Sequence, residues 1–495
     1  MNKIITTGEA TGILPVPDSN IKPIKVFGTE SIRNSFDEKC LQQAINSRCA
    51  PGVTELVLNP DAHAGYGAPV GCVMVSPSHI YPGPVGVDIK CSMSLLQTEL
   101  PDEELKSKEA RRAVIKALME RLPTGAGKGQ RSAKKSRHVD YALGKKVATE
   151  GASEEVCNAL GIPFHWAEAC EDAFHLGHND TRDSLLARFS FHETMRGEEF
   201  VHAKLQQLGS YGGGNHFGEA NTVQIQSGEE AIAKSFGLQN GKISYLSHCG
   251  SRGFGYFLAQ HQFKTLQAMF EKWKIPLPGG DRELVYAPLG SDEANAYLDD
   301  LALGGNFATI NHLLINALVL EAFQEVFPGV KGDLVYFISH NIARKEVVDG
   351  TMAWVHRKGA TRALPAHHHA LIGGRYENTG HPILLPGNPA AGSAVMVACA
   401  GSAQSCYSVN HGAGRAMSRT RASKELVQKE IDASFEERDI LSNCRQYPID
   451  EAPQAYKDFR EVLNSVEKAG LAKSVAMLSA RFVIKDGDQS NGGAA

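Results

Sequence analysis

ISYLSHCGSRG (residues 243–253) is an apolar, strand-like run that ends on His248 and passes at once into cysteine, glycine and serine. LVYFISHN (334–341) repeats the pattern and ends on His340. A sheet that closes its strands this way delivers imidazoles to the rim of a cleft rather than into a core. Working outward, His216 stands in GGGNHFGE (212–219), His411 in VNHGAGR (409–415), and Asp88 and Cys91 share GVDIKCS (86–92). A lone histidine is usually a hydrogen-bonded structural residue. Four in this setting, with a carboxylate and a thiol, supply the N, O and S donors of a transition-metal site of borderline softness. Asp88 and Cys91 lie three apart on one turn, close enough to serve one ion or two neighbouring ones. Without the histidines, Cys91 would read as a small buried apolar residue.

The loops that carry chemistry fall at 61–71, 86–92, 212–219, 248–253, 340–346, 356–363, 386–393 and 411–415, spread over most of the 495 residues. The whole chain must fold back on one site. This predicts an α+β fold: a single large catalytic domain of mixed β-sheets and surrounding helices, with bounds 1–485 and a disordered tail at 486–495. Periodicity predicts strands at 53–58, 70–75, 243–247, 333–339, 382–386 and 394–399. Helices are predicted at 103–122, 256–274, 306–327, 422–438 and 453–470, with 125–207 polar, helical and looped. No glycine loop has Walker or Rossmann spacing.

With 51 Lys and Arg against 55 Asp and Glu, global charge does not announce nucleic acid. Locally, thirteen Lys and Arg between Lys106 and Lys146 face only Glu109, Glu120 and Asp140. Beside the glycine-rich PTGAGKGQR (123–131), this run reads either as a solvated face or as a phosphate-binding strip. Ten cysteines with no CxxC pair fit a reducing, cytosolic setting. MNKIITTGEATG lacks an apolar leader core, and the most apolar stretch, near 390–403, is too short to span a bilayer. The expectation is a cytoplasmic protein without a membrane partner.

HRKGATRA (356–363) sets Arg357, Lys358 and Arg362 around a glycine, as forked donors suited to phosphate. HGAGR (411–415) does the same with Arg415, and PGNPAAGS (386–393) adds Ser393. A basic loop that merely meets solvent is the alternative for each. Together with a metal cluster they point to phosphoryl or nucleotidyl transfer. If His411 is not a ligand, it can attack phosphorus as a nucleophile. The run His367–His369 reads as an exposed loop, because adjacent residues rarely converge on one ion.

These residues resemble the RtcB-type RNA ligases, which join 3′-phosphate or 2′,3′-cyclic phosphate RNA ends to 5′-hydroxyl ends. The matching motifs are DAHAGYGAPVGC (61–72), GVDIKC, LGSYGGGNHFGE (208–219), SHCGSRG (247–253), SHNIARKE (339–346), HRKGATRALP (356–365), PGNPAAGS, HGAGRAMSR (411–419), DEAPQAYK (450–457) and FVIK (482–485). They run in order over nearly the full length.

The resemblance implies GTP and two Mn²⁺ as cofactors, and His411 as the residue that takes GMP and passes it to the RNA 3′-phosphate. It implies one metal on Cys91, His248 and His340, and a second on Asp88, Cys91 and His216. The guanine pocket would use Phe217, Glu219, Tyr456 and Lys485. The nucleotide would be lined by Asn215, His216, Gly218, His340, Asn341, Pro386, Gly387, Asn388, Pro389, Ser393, Gly412, Ala413 and Gly414. Asp61 would orient His411. The implied partners are RNA and an archease-like activator.

Departures from the family pattern mark a divergent bacterial branch. Lys90 and Ser92 stand where Asn and Gly are common, Cys249 where Ser is common, and PGNPAAGS where PGSMGTAS is usual. Two other readings use the same cluster: a metal-dependent cyclic phosphodiesterase, and a non-catalytic RNA-binding subunit. An unligated nucleophile beside a nucleotide loop has no use in the first. Lost ligands would be expected in the second.

Overall fold

In a computed structural model, which describes residues 3–487, two large, mostly antiparallel sheets face each other across the site. The first has seven strands, in the order Ile5–Gly8, Thr11–Leu14, Ile24–Phe27, Glu55–His63, Val70–Ser76, Thr351–Lys358, Asn341–Val348. The second runs Gly332–Ser339, Ser92–Pro101, Lys242–Cys249, Phe217–Ile225, Ala472–Ile484, Gly392–Ala398, Pro382–Asn388, with Leu441–Ser442 paired in parallel to Ala472–Ile484. Lys242–Cys249 and Gly332–Ser339 are buried along nearly their whole length, as expected of strands covered on both faces. Their register carries the chemistry: His248 lies opposite both Met93 and Phe217, and His340 follows the last residue of Gly332–Ser339. The α+β class and the single large domain read from the sequence are what the chain adopts.

Behind the second sheet runs Asp292–Val326, a helix of 35 residues. The sequence reading started it at 306 and placed the most apolar stretch elsewhere. By length and composition this helix could cross a membrane, but 94% of its most apolar window is buried inside the fold. Ser291 caps it, accepting from Ala294 N, and its flanks are closed by Arg252–Trp273, Lys108–Arg121 and Tyr141–Glu150. Buried asparagines and a histidine interrupt its apolar surface, and of these Asn311 and His312 reach the loops that carry the site.

Several predicted bounds move. The helix expected at 103–122 is a turn followed by Lys108–Arg121, because Ser107 caps it by accepting from Ala110 N. The one expected at 422–438 breaks at Leu426 and Val427 into Arg419–Glu425 and Gln428–Glu437. The one expected at 453–470 begins only at Phe459, capped by Asp458; before it Pro453–Ala455 is a single short turn and Tyr456 is extended, on the cleft wall. Strands Phe217–Ile225 and Ala472–Ile484 were not anticipated, although both lie at the centre of the second sheet. Of the predicted tail, Asp486 is buried, and residues 488–495 lie outside the described residues.

Candidate active site

Five donors converge where the strand ends meet. Cys91 Sγ lies 3.2 Å from His248 Nε2 and 3.4 Å from His216 Nε2. His248 Nε2 faces His340 Nε2 at 3.3 Å, and His216 Nε2 faces Asp88 Oδ2 at 2.9 Å. Cys91, His248 and His340 form one potential metal-ligating trio and Asp88, Cys91 and His216 another, sharing the sulfur. His216 Nδ1 donates to the Tyr211 carbonyl at 2.9 Å, which fixes the ring and aims Nε2 at Asp88 and Cys91. Burial, reinforced by neighbouring imidazoles, holds His248 and His340 well below the usual histidine range. Two buried imidazoles that aim Nε2 at each other and at a sulfur are a donor set that suits a divalent cation. Burial and the Asp88 carboxylate push the Cys91 thiol well above its usual value, which a bound divalent ion would reverse. Burial raises Asp88 as well, but His216 outweighs it and brings the carboxyl below its usual value.

The donors are held from behind by one face of the long helix. Asn311 accepts from Gly209 N at 2.7 Å and donates to the Gly250 carbonyl at 3.0 Å. His312 Nε2 donates to the Cys249 carbonyl at 2.9 Å, while its Nδ1 accepts from Ser94 Oγ. Thr309 receives Lys90 Nζ at 2.7 Å. Three ligand-bearing loops are thus tied to neighbouring turns of one helix. Lys90 has φ 53°, a left-handed conformation that favours Gly or Asn, and its ammonium also reaches the Asp172 carbonyl and His175 Nε2. Burial lowers Lys90 to about 7.

His411 sits beside this cluster, its ring centroid 4.6 Å from that of His340. Its Nδ1 lies 2.7 Å from Asp61 Oδ2 and 2.9 Å from the Gly359 carbonyl. Both partners are acceptors, so Nδ1 holds a proton and the ring turns its other nitrogen, Nε2, to the cleft. A Cβ at Gly414 would overlap the Asp61 backbone, so only glycine, here at φ 75°, lets this loop close down on the carboxylate.

A cleft of about 380 Å³ opens over these groups. Its walls bring together Asp88, Cys91, Asn215, Phe217, Glu219, His248, His340, Asn341, Lys358, Pro386–Pro389, Ser393, His411, Gly412–Gly414, Arg415, Tyr456 and Lys485. His216 lies just beneath, against Asp88. Gly218 packs on the hydroxyls of Tyr211 and Tyr245, behind the wall. Arg357 and Arg362 do not reach the cleft. Arg357 is fully buried and bidentate to Glu346 at 2.6 and 2.8 Å, and Arg362 meets Glu171 at 3.0 Å. Lys358 does reach it, but its ammonium is held by the Tyr66 and Gly83 carbonyls. The basic run also turns out to be largely neutralised: Lys106, Lys108, Arg111, Arg121, Lys135, Arg137, Lys145 and Lys146 all make ion pairs.

One end of the cleft is built for a polar, flat ligand. Glu219 is buried, burial pushes it to about 7, and its Oε1 has no hydrogen-bond partner. Lys485 Nζ stands 3.2 Å from Glu451 Oε2, and the Tyr456 hydroxyl donates to the same oxygen at 2.6 Å. Sequence reasoning passed over Glu451 and Arg419, although both lie inside quoted motifs. Arg415 and Arg419 pair with Glu451 at 3.3 and 3.0 Å, and Arg419 stays half-exposed at the mouth. An acid within a motif that also holds a tyrosine, together with two arginines in another, was the available signal. His63 and Tyr66 on the cleft wall also lie inside a quoted motif, DAHAGYGAPVGC, whereas Tyr447 lies in none.

A family model described as tRNA-splicing ligase RtcB matches residues 43–486 of this chain. The chain belongs to the RtcB family. Among its RtcB relatives, tRNA-splicing ligase RtcB of Thermococcus kodakarensis is 33% identical over 479 residues, covering 94% of each chain. That of Nanoarchaeum equitans is 32% identical over 480 residues, covering 94% of this chain and 95% of its own. RNA-splicing ligase RtcB of Mycobacterium tuberculosis is 34% identical over 451 residues, covering 88% of this chain and 98% of its own. The RtcB match spans the second sheet, four strands of the first, the long helix and every loop of the cleft.

Proposed function

We propose that this RtcB chain is an RNA ligase, acting in tRNA splicing or RNA repair, that joins a 3′-phosphate or 2′,3′-cyclic phosphate end to a 5′-hydroxyl end. Transfer runs through a guanylylated histidine. The observation that carries this reading is the pair of acceptors around His411 Nδ1, which leaves Nε2 as a free nucleophile beside the metal donors. A phosphodiesterase would need the metal cluster but not this histidine.

In the reading, Nε2 of His411 attacks the α-phosphorus of GTP. A P–N bond forms as the bond to pyrophosphate breaks, and the Nδ1 proton stays hydrogen-bonded to Asp61. Asp61 and the Gly359 carbonyl stabilise the positive charge on the substituted ring. Cys91, His248 and His340 would hold one Mn²⁺, and Asp88, Cys91 and His216 the second. Ions there neutralise charge building on the phosphates. Glu219 and Lys485 contact the guanine edge between Phe217 and Tyr456. Asn215, Asn341, Pro386–Pro389, Ser393 and the Gly412–Gly414 loop line the rest, and Arg415 and Lys358 add positive charge to the cleft wall. Water opens any cyclic phosphate to a 3′-phosphate, GMP then passes to that phosphate, and the 5′-hydroxyl attacks the activated phosphorus and displaces GMP. An archease-like activator, a cytoplasmic setting and domain bounds of 1–485 complete the proposal.

The test is incubation with Mn²⁺ and α-³²P-labelled GTP, with ATP in parallel, then a denaturing gel. An acid-labile, base-stable label that His411→Ala loses supports the mechanism. A label from ATP alone moves the specificity, and none from either nucleotide in metal-loaded protein leaves the phosphodiesterase.

A further inference from the structure

We infer that Lys457 is a positioning residue for the nucleophile: its ammonium clamps the backbone on both sides of Asp61 and so fixes the carboxylate that orients His411. The inference rests on His411 being the nucleophile and names what holds its tautomer in place.

Lys457 is 7% exposed, yet its ammonium makes no carboxylate ion pair among the described residues. Nζ instead donates to the Pro60 carbonyl at 3.0 Å and to the Ala62 carbonyl at 2.9 Å, the two peptides that flank Asp61. It lies 4.5 Å from the centroid of the Phe36 ring, which faces its charge. The backbone N–H of the same residue donates to the Gly414 carbonyl at 3.0 Å. One lysine therefore ties together the loop that carries His411 and the strand that carries Asp61, which are about 350 residues apart in sequence.

Asp61 needs such a tie. It is fully buried; Oδ2 takes both the N–H and Nδ1 of His411, while Oδ1 has no hydrogen-bond partner. A buried carboxylate with one unpaired oxygen is costly unless positive charge stands nearby. Lys457 supplies that charge one peptide away without competing for Oδ2. Direct contact with Nζ would draw the carboxylate off the imidazole; contact with the flanking carbonyls leaves it on. Burial lowers Lys457 to about 8 and Asp61 works against that, so the amine is largely protonated at neutral pH. An apolar residue of the same length would strand two buried carbonyls and free the Asp61 peptide to rotate.

The experiment compares wild type, Lys457→Met and Lys457→Arg in the full chain. Three quantities are read: the single-turnover rate of His411 labelling by α-³²P-GTP, the binding of Mn²⁺ and GTP, and ¹⁵N shifts of the His411 ring in metal-free, histidine-labelled protein, assigned against His411→Asn. Lys457→Met should label about 10- to 100-fold more slowly, the usual cost of losing an outer partner of a site. Its Mn²⁺ and GTP binding should stay within about twofold of wild type. Its ring should lose the fixed Nδ1–H form for a mixture of tautomers, and Lys457→Arg should restore most of both. If Lys457→Met does not fold, Lys457→Gln, which keeps one carbonyl contact, takes its place. A wild-type rate in the Met variant would overturn the inference, as would an unchanged tautomer or a slowing matched by equal loss of metal or nucleotide binding. Should wild type take no label, the ligase reading fails, and the tautomer comparison still decides the role of Lys457.

Discussion

HRKGATRA and HGAGRAMSR look alike: each opens on a histidine, holds two arginines and turns on glycine. The structure gives them opposite jobs. The first opens in Thr351–Lys358, a strand paired on both sides, where His356 is fully buried and both ring nitrogens are used, Nδ1 at the Met74 carbonyl and Nε2 by the Tyr81 N–H, and it continues into the short strand Ala360–Arg362. The second leaves the three-residue strand Ser408–Asn410 into a loop, where His411 has one nitrogen engaged and the other open to the cleft. The arginines divide the same way, Arg357 and Arg362 into buried ion pairs, Arg415 and Arg419 onto the cleft wall. Residue type sets what a motif can do; for these two histidines, the ring whose nitrogens are both used inside the sheet is structural, and the ring that keeps one nitrogen open faces the ligand.

The sharpest way to break this contrast is at the histidines. His411→Ala should lower nucleotidyl transfer by about 10⁴-fold or more, as loss of an activated nucleophile does, with Mn²⁺ binding intact. His356→Ala should leave His411 labelling in place but destabilise the fold by about 1–3 kcal/mol, because Tyr81 N–H loses its acceptor. Urea unfolding and gel labelling of both variants decide it, and transfer lost in both with stability unchanged would erase the distinction.

At the arginines the expected effect is next in size. Arg357→Met leaves the partly buried Glu346 without its bidentate partner, a change that costs about 3 kcal/mol. The folded fraction should still label at the wild-type rate. A normal unfolding midpoint with lost labelling would place Arg357 at the substrate instead.

How far the sequence could be read follows from the same contrast. Strand ends carrying His248 and His340, the Asp88–Cys91 turn and the HGAGR loop were legible because donor residues next to glycine have few structural uses. Phe217–Ile225 was missed because FGEANTVQI mixes polar and apolar residues without clean alternation, and burial on both faces hides what remains. Ala472–Ile484 was missed because its bulge against Phe217–Ile225, between Ala480 and Phe482, breaks the period of two. Arg357 was misread because its partner Glu346 lies across a hairpin, four strand positions from the residue directly opposite it, and no local pattern announces that pairing.

Glu451 offers the smallest effect and the finest test, since it is the acid that Arg415 and Arg419 share. Burial raises its pKa, but Lys485 and the arginines outweigh that and hold it at about 2, against an ordinary value near 4.5. As pH falls, the unfolded chain takes up this proton first, so unfolding becomes easier. The contribution is therefore complete above about pH 4.5 and lost on descending towards pH 2, and is worth about 3 kcal/mol at most. Glu451→Gln should flatten the dependence of unfolding free energy on pH within that window, and leave the slope above pH 5 unchanged. Because the same carboxylate receives Tyr456 and Lys485, the variant should also weaken GTP binding about tenfold, the loss of roughly one charge-assisted hydrogen bond. Wild-type GTP binding with a flattened pH slope would make the Glu451 cluster a structural tie like Arg357–Glu346, and the two motifs would then differ only at their histidines.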